Sequence, residues 1–339
     1  MTEMRELEKV VEEILGELDR DRRSLFTRVR RDGEGYCLDS SDRDALRQVL
    51  PRVRARMAQA SMRGAVLPAP ELCARSAWVT ASVAGVRRQP SHQSEQVTQA
   101  LQGEVLVPLL HEDGWLLVRL PDGYVGWVRD WHLGLVDTDT PGTYARRANA
   151  RIAVPLACVR EVGRPTATPR AEALLGTHVV SLRTADAWTE IELPGGRRGW
   201  VRGDQLRPGT HAWPAGVPAI LDTLHVFLGV PYVWGGKSPK GFDCSGLVQF
   251  VFGLHGVDLP RDSDQQFACG EAVEEFLPGD LIFFGRESIG HVGVACDARE
   301  FLHARGEVRR DSLDPGSPHH DPELAAVLRG GRRVLPRMP

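Results

Sequence analysis

The sequence predicts a multidomain α+β chain: a short helical N-terminal segment at 1–74, two small β-barrels at 75–139 and 140–210, and a C-terminal α+β domain at 211–339. Helical spacing of apolar residues near the N-terminus predicts the first part. An internal repeat at a constant offset of 73 positions, with Trp115 falling on Trp188 and Trp127 on Trp200, predicts the barrels. A composition change after Arg207-Pro208-Gly209, followed by helix and then strand patterns, predicts the last domain.

Between residues 5 and 20, Leu7, Val10, Val11, Ile14, Leu15 and Leu18 share one helical face. A second amphipathic stretch over 41–57 follows Asp39-Ser40-Ser41-Asp42, a natural N-cap region. This segment reads as a packing appendage. In the repeat, Asp113-Gly114-Trp115 to Gly126-Trp127-Val128-Arg129 realigns on Asp186-Ala187-Trp188 to Gly199-Trp200-Val201-Arg202. Each copy is a strand, a Pro/Gly turn and a second strand, preceded by further short β-rich runs, which is the pattern of a small barrel. Trp115, Trp127, Trp188 and Trp200 read as core aromatics of the two barrels. Tyr124 faces Arg197 in the other copy, and such a difference marks the copy that meets ligand. Residues 213–218 read as a linker.

A length of 339 residues exceeds one ordinary core, and 42% hydrophobic with 26% charged residues is globular composition. A formal net charge of −3 supplies no field to hold nucleic acid or an anionic membrane, so neither is an expected partner. The N-terminus is acidic and lacks the basic start and apolar core of a secretory signal. With no apolar run of roughly 18 residues to span a bilayer, the expected location is cytoplasmic. The six cysteines are scattered, without metal-type pairs or a dense disulfide framework, and all but Cys244 read as small buried fillers. Lys237 and Lys240 read as solvated, and His319-His320-Asp321 as an exposed loop rather than a metal site.

Cys244 carries the chemistry. Gly229-Val230-Pro231-Tyr232-Val233-Trp234-Gly235-Gly236 forms an irregular aromatic loop, and Leu247, Val248, Val251 and Phe252 then repeat at helical spacing, so Cys244 opens a helix. A thiol there faces unpaired amides and the positive end of the dipole, which favour thiolate. Downstream, Leu281 to Phe284, Gly290 to Ala295 and Phe301 to Ala304 read as strands. A turn near 297–299 brings His291 and His303 side by side. A thiol, an imidazole base and a group that orients the base form the core of a thiol hydrolase. The same three side chains are also acceptable zinc ligands. Asp243 and Asp262 are equally suited to capping helices.

Pro231-Tyr232-Val233-Trp234-Gly235-Gly236, Asp243-Cys244-Ser245-Gly246, Pro260-Arg261-Asp262-Ser263, Pro278-Gly279-Asp280 and Gly290-His291-Val292-Gly293, in this order, resemble the NlpC/P60 family of papain-like cysteine peptidases. The barrels resemble bacterial SH3 domains. Together they are similar to the γ-D-glutamyl-L-diamino acid endopeptidases of murein peptide recycling. The resemblance implies Cys244 as nucleophile, His291 as base, His303 as its orienter and Tyr232 as oxyanion donor, with no metal or other cofactor. It implies Asp243, Ser245, Asp262 and Ser263 as contacts to the substrate's L-alanyl and D-glutamyl groups, Trp234 as a pocket wall, and Tyr124 as a contact reaching from the first barrel. An acid expected near Gln89 to hold a free amino terminus is missing, with Glu95 as a substitute. The implied substrate is a free murein peptide beginning with L-Ala. An amidase or acyltransferase with the same thiol chemistry, or an inactive peptide-binding scaffold, are the alternatives.

Overall fold

Apolar residues at three- and four-residue spacing wind the first segment of the chain into α1 (Thr2–Glu17), and Asp42, whose carboxylate accepts from the Ala45 amide, starts α2 (Arg43–Arg56). The computed structural model describes residues 2–18, 20–214 and 216–335; Ala215 of the expected linker and the final four positions of the 211–339 domain lie outside the described residues. The chain divides into two compact units, one of residues 1–78, 87–94 and 105–140, the other of 79–86, 95–104 and 141 onward.

In the first unit the N-terminal segment is more than helical. It also holds β1 (Thr27–Asp32), β2 (Gly35–Ser40) and β3 (Met62–Val66), with β1–β2 antiparallel and β2–β3 parallel, α2 forming the crossover. Leu7, Val11, Ile14 and Leu15 of α1 pack with Leu38, Val49 and Val53 in one core. The strand β1 hides from a hydrophobic pattern because it buries only Val29, while Arg28 and Arg30 both pair with the buried Asp39. Of the strands in the region expected to form the first barrel, β4 (Arg75–Val79), β7 (Val105–Glu112), β8 (Trp115–Arg119), β9 (Val125–Arg129) and β10 (Leu133–Asp137) lie in or almost wholly in this unit, and β5 (Val83–Arg87) and β6 (Gln96–Leu101) fall almost wholly in the second. Within this unit Trp115 and Trp127 are buried with Leu67, Leu109 and Leu117, and Phe26 sets its ring edge on Trp127 at 6.0 Å. Asp113 and Asp186, equivalent in the repeat, both take left-handed backbone conformations (φ 48° and 52°), which Asp tolerates better than most side chains.

The second unit carries α3 (Asp139–Arg147) and the second barrel, β11 (Ala150–Ile152), β12 (Leu156–Arg160), β13 (Pro169–Leu174), β14 (His178–Ala185), β15 (Trp188–Glu192), β16 (Arg198–Arg202) and β17 (Leu206–Pro208). Its strand order is β13-β12-β16-β15-β14-β11-β17. Here the expected aromatic core is corrected. Ile152, Val159, Val179, Ile191, Leu193 and Val201 fill the interior, and Trp188 and Trp200 are only half-buried. Both rings lie against Gly163, where a Cβ would meet Trp188 Cβ at 2.9 Å, and the Arg183 guanidinium sits 5.0 Å from the Trp200 ring.

The last domain contains α4 (Val217–His225), β18 (Lys237–Ser238), β19 (Gly241–Phe242), α5 (Cys244–Leu254), α6 (Ser263–Phe267), β20 (Glu271–Val273), β21 (Leu281–Phe284), β22 (His291–Ala295), β23 (Glu300–Arg305), β24 (Glu307–Ser312), α7 (Pro322–Ala325) and β25 (Leu328–Arg333). One sheet runs β20-β25-β21-β22-β23-β24. Helix α5 is buried along nearly its whole length, with Leu247, Val248, Val251 and Phe252 against Val292, Val294 and Leu302 of the sheet. A helix apolar on all sides belongs inside a core, which holds its first residue rigidly.

Two further expectations are corrected. Lys237 is buried, its ammonium 3.1 Å from Glu104 and its amide donating to Gln99, because a charge removed from water needs a partner. Among the five other cysteines only Cys37 is a buried filler; Cys73 is exposed, and Cys158, Cys269 and Cys296 are half-buried.

Candidate active site

Asp243 starts α5 by accepting the Gly246 amide at 2.6 Å, which leaves Cys244 at the first helical position with its thiol turned inward. Gly246 permits this turn, since a Cβ there would meet the Gly236 carbonyl oxygen at 2.0 Å. The backbones of Ser245 and Val292 both act on the Cys244 thiol in the direction that favours its thiolate. The second belongs to the residue after His291, so the helix start meets the start of β22.

Strands β22 and β23 pair antiparallel, Val294 opposite Leu302, and Asp297 closes the turn by accepting the amides of Arg299 and Glu300. His291 and His303 thereby come side by side, Nε2 to Nδ1 at 2.7 Å. Gly293 provides the room: a Cβ there would meet the Phe301 ring at 2.8 Å and His303 Cβ at 3.2 Å. The structure adds a residue that the sequence reading missed. His303 Nε2 lies 2.9 Å from Asp311 Oδ2, and both side chains are buried. Arg309 holds the other oxygen of Asp311 at 2.7 Å. Burial works against the Asp311 charge, yet the hydrogen bonds from His303 and Arg309 outweigh it and hold the carboxyl below its ordinary range.

An ionised carboxylate only accepts hydrogen bonds, so His303 Nε2 carries a proton. In neutral His303 Nδ1 then accepts, His291 Nε2 donates to it, and His291 Nδ1 is left with the lone pair of a base. Burial, followed by the neighbouring His303 and Arg305, pushes His291 down to about 3, so the ring rests neutral. The asparagine variant Asp311→Asn has one acceptor oxygen for two donors. It is expected to lower kcat about 10²-fold with KM little changed, measured at neutral pH; an unchanged kcat refutes the relay.

The thiol departs from the helix-dipole expectation. Burial first, then the Asp243 charge, pushes Cys244 up to about 11, and the amides of Val292 and Ser245 together with Arg261 only partly offset this. The resting pair is therefore neutral thiol and neutral imidazole. Alkylation by iodoacetamide in the resting protein is expected to rise about tenfold per pH unit from 7 to 10, following the thiolate fraction. A rate already level at neutral pH would mean a resting ion pair.

Tyr232 lines the same cleft as His291. Its main chain is fixed by the Tyr232 amide donating to Gly306, and burial, then the nearby Cys244 and Asp243, push its phenol up, keeping it a hydrogen-bond donor. Asp243 is bound by the buried Arg261, whose Nη1 and Nη2 reach its two oxygens at 3.0 and 2.5 Å. Ser245 Oγ accepts from the same guanidinium at 3.0 Å. Asp262 caps α6 in a capping box with Gln265, and Ser263 follows it, buried. Trp234 stands 64% exposed, its indole N–H donating to Glu95 at 2.9 Å, and does not line the His291 cleft. Tyr124 lies in the first unit, buried at the turn between β8 and β9. The zinc reading fails on geometry: His291 Nε2 and both His303 nitrogens are committed to one another and to Asp311.

Residues 229–323 match the NlpC/P60 family, and residues 86–133 match the bacterial dipeptidyl-peptidase SH3 domain. A gamma-D-glutamyl-L-lysine dipeptidyl-peptidase of Bacillus cereus is 29% identical over 70% of this chain and 75% of its own length. Dipeptidyl-peptidase 6 of Lysinibacillus sphaericus is 29% identical over 75% of this chain and 97% of its own. In fold, the chain is similar to the crystal structure of an NlpC/P60 family protein from Bacillus cereus, with a TM-score of 0.66 at 22% identity over 77% of this chain and 100% of that one.

Proposed function

Because the chain carries an NlpC/P60 domain at 229–323 with a bacterial SH3 domain ahead of it, we propose that it is a cysteine endopeptidase cleaving the γ-D-glutamyl-L-diamino acid bond of free murein peptides that begin with L-Ala. The observation that supports this most is the chain of hydrogen bonds from Asp311 through His303 to His291, whose chain neighbour Val292 acts through its backbone on the Cys244 thiol at the start of α5. Two relatives are named dipeptidyl-peptidases, and the first is named for the γ-D-glutamyl-L-lysine bond.

In this reading the Cys244 sulfur attacks the γ-carbonyl carbon while its proton passes to His291 Nδ1. The developing oxyanion takes hydrogen bonds from the Tyr232 hydroxyl and the Cys244 amide. Collapse breaks the C–N bond, and His291 returns the proton to the departing amine. Water, deprotonated by the same ring, then attacks the thioester; the C–S bond breaks, L-Ala-D-Glu is released, and His291 returns the proton to the Cys244 sulfur. A proton shared by two neutral partners needs no stable thiolate at rest; attack and transfer proceed together. Asp243, Ser245, Asp262 and Ser263 are the proposed contacts to L-Ala-D-Glu, with Trp234 and Tyr124 as outer contacts. Murein peptides reach a cytoplasmic enzyme only after release and import, so its place is recycling.

The test is product mass from a panel of muropeptides with free and acetylated amino ends. L-Ala-D-Glu released from the free peptide supports the reading, and cleavage at the amide of intact glycan-linked peptide points instead to an amidase. Equal rates on free and acetylated peptides overturn the requirement for a free amine.

A further inference from the structure

His291 and Tyr232 border a cleft of about 440 Å³ that Arg286, Arg305 and Glu323 also line. None of Asp243, Ser245, Asp262 and Ser263 lines it. Since His291 must hand its proton to the leaving amine, the leaving diamino acid lies on the His291 side of the scissile bond. This cleft is where its side chain goes.

The charges in the cleft are unequally engaged. Glu323, the carboxylate in the lining, hydrogen-bonds to Arg305, which also binds Asp321. It is thus already matched by a cation and is poorly placed to hold a lysine ammonium. The exposed Arg286 is the opposite case. It sits in the turn between β21 and β22, where its carbonyl accepts from Arg329 at 3.0 Å, and its guanidinium has no carboxylate partner among the described residues. With Arg305 shared between Asp321 and Glu323, Arg286 is the lining charge left to meet an anion.

Resting on the endopeptidase reading, we infer that Arg286 selects the leaving group: the cleft takes a diamino acid whose side chain ends in a carboxylate beside its amine, as in meso-diaminopimelate, over one ending in an amine alone, as in L-lysine. The carboxylate pairs with Arg286. One of the relatives is named for the lysine bond, so this would be a preference of this chain's own lining.

The experiment compares kcat/KM on L-Ala-γ-D-Glu-meso-diaminopimelate and L-Ala-γ-D-Glu-L-Lys for the full chain, Arg286→Gln and Arg286→Glu. The expected result is a preference of about tenfold or more for the diaminopimelyl peptide. Arg286→Gln should remove most of it, and Arg286→Glu should swing the ratio toward lysine. Arg286 is exposed, so both variants should fold, with circular dichroism as the check. Cleavage of both peptides with no preference, or with a preference that Arg286→Glu leaves in place, overturns the selection by Arg286 and leaves the endopeptidase intact. Failure to cleave either peptide overturns the endopeptidase reading and this inference with it.

Discussion

Cys244→Ala is expected to abolish cleavage of L-Ala-γ-D-Glu-diamino acid peptides, by at least about 10⁴-fold in kcat, while the peptide still binds. The sulfur is the nucleophile of the proposed reaction, whereas Cys269 and Cys296 are half-buried and begin no helix. Removing one buried sulfur leaves a small void costing about 1 kcal/mol, so loss of activity would not be loss of fold. Cys244→Ser separates the chemical from the steric effect. It keeps a proton donor in place, but a hydroxyl is a far weaker acid than even this thiol at about 11, and a resting neutral His291 cannot strip it. Both variants should bind peptide in calorimetry and release no L-Ala-D-Glu. Turnover surviving in Cys244→Ala would remove the thiol mechanism. Binding alone, with wild-type protein equally inert, would turn the chain into a scaffold. Slow alkylation at neutral pH does not separate these cases, because the resting thiol is protonated in either.

Local signals made the helix start at Cys244 readable from the sequence. An Asp followed by Cys, Ser and Gly and then apolar residues at helical spacing specifies a capped helix within a dozen residues, and α5 begins at Cys244. The two histidines were readable for a similar reason, since one short turn fixes their strands in register. Asp311 was within reach: Gly306 turns β23 into β24, His303 pairs with Arg309, and alternation places Asp311 on the face of His303 one step along. Arg261 was not. Nothing in Leu259-Pro260-Arg261-Asp262 distinguishes a buried guanidinium from a solvated one, and arginine is ordinarily exposed. Its partners Thr98, Gly236, Asp243 and Ser245 come from three separate stretches of chain. The tryptophans mark the other limit. The repeat predicted equal roles for Trp115 and Trp188, but a ring's burial depends on what covers it. In the first unit Leu67, Ala69 and Phe26 join the cluster of Trp115 and Trp127, whereas Trp188 meets a glycine.

Arg261→Met is expected to cost about 3–5 kcal/mol of stability and most of the activity. The guanidinium is 1% exposed and gives Nε to Thr98 Oγ1 at 2.7 Å, Nη1 to Asp243 and Ser245, and Nη2 to Asp243. Burial opposes its charge, and Asp243 more than restores it, so its proton is held more firmly than in water. Met fills the volume without a charge. It leaves the Asp243 carboxylate buried with the Gly246 amide and the Ser245 hydroxyl as donors but no cation, and an uncompensated buried charge is costlier than the pair it came from. Asp243 also starts the helix that begins with Cys244, so Cys244 loses its anchor in the same step. Arg261→Lys should fare little better, because one ammonium cannot reproduce a fork bonded to both oxygens. The decisive measurement is denaturant unfolding of Arg261→Met beside the double variant Arg261→Met/Asp243→Leu. With no stranded carboxylate, the double variant should recover part of the lost stability even though it has lost the helix cap. If Arg261→Met costs less than about 1 kcal/mol, the pair behaves as a surface salt bridge, and Cys244 is held by the packing of α5 alone.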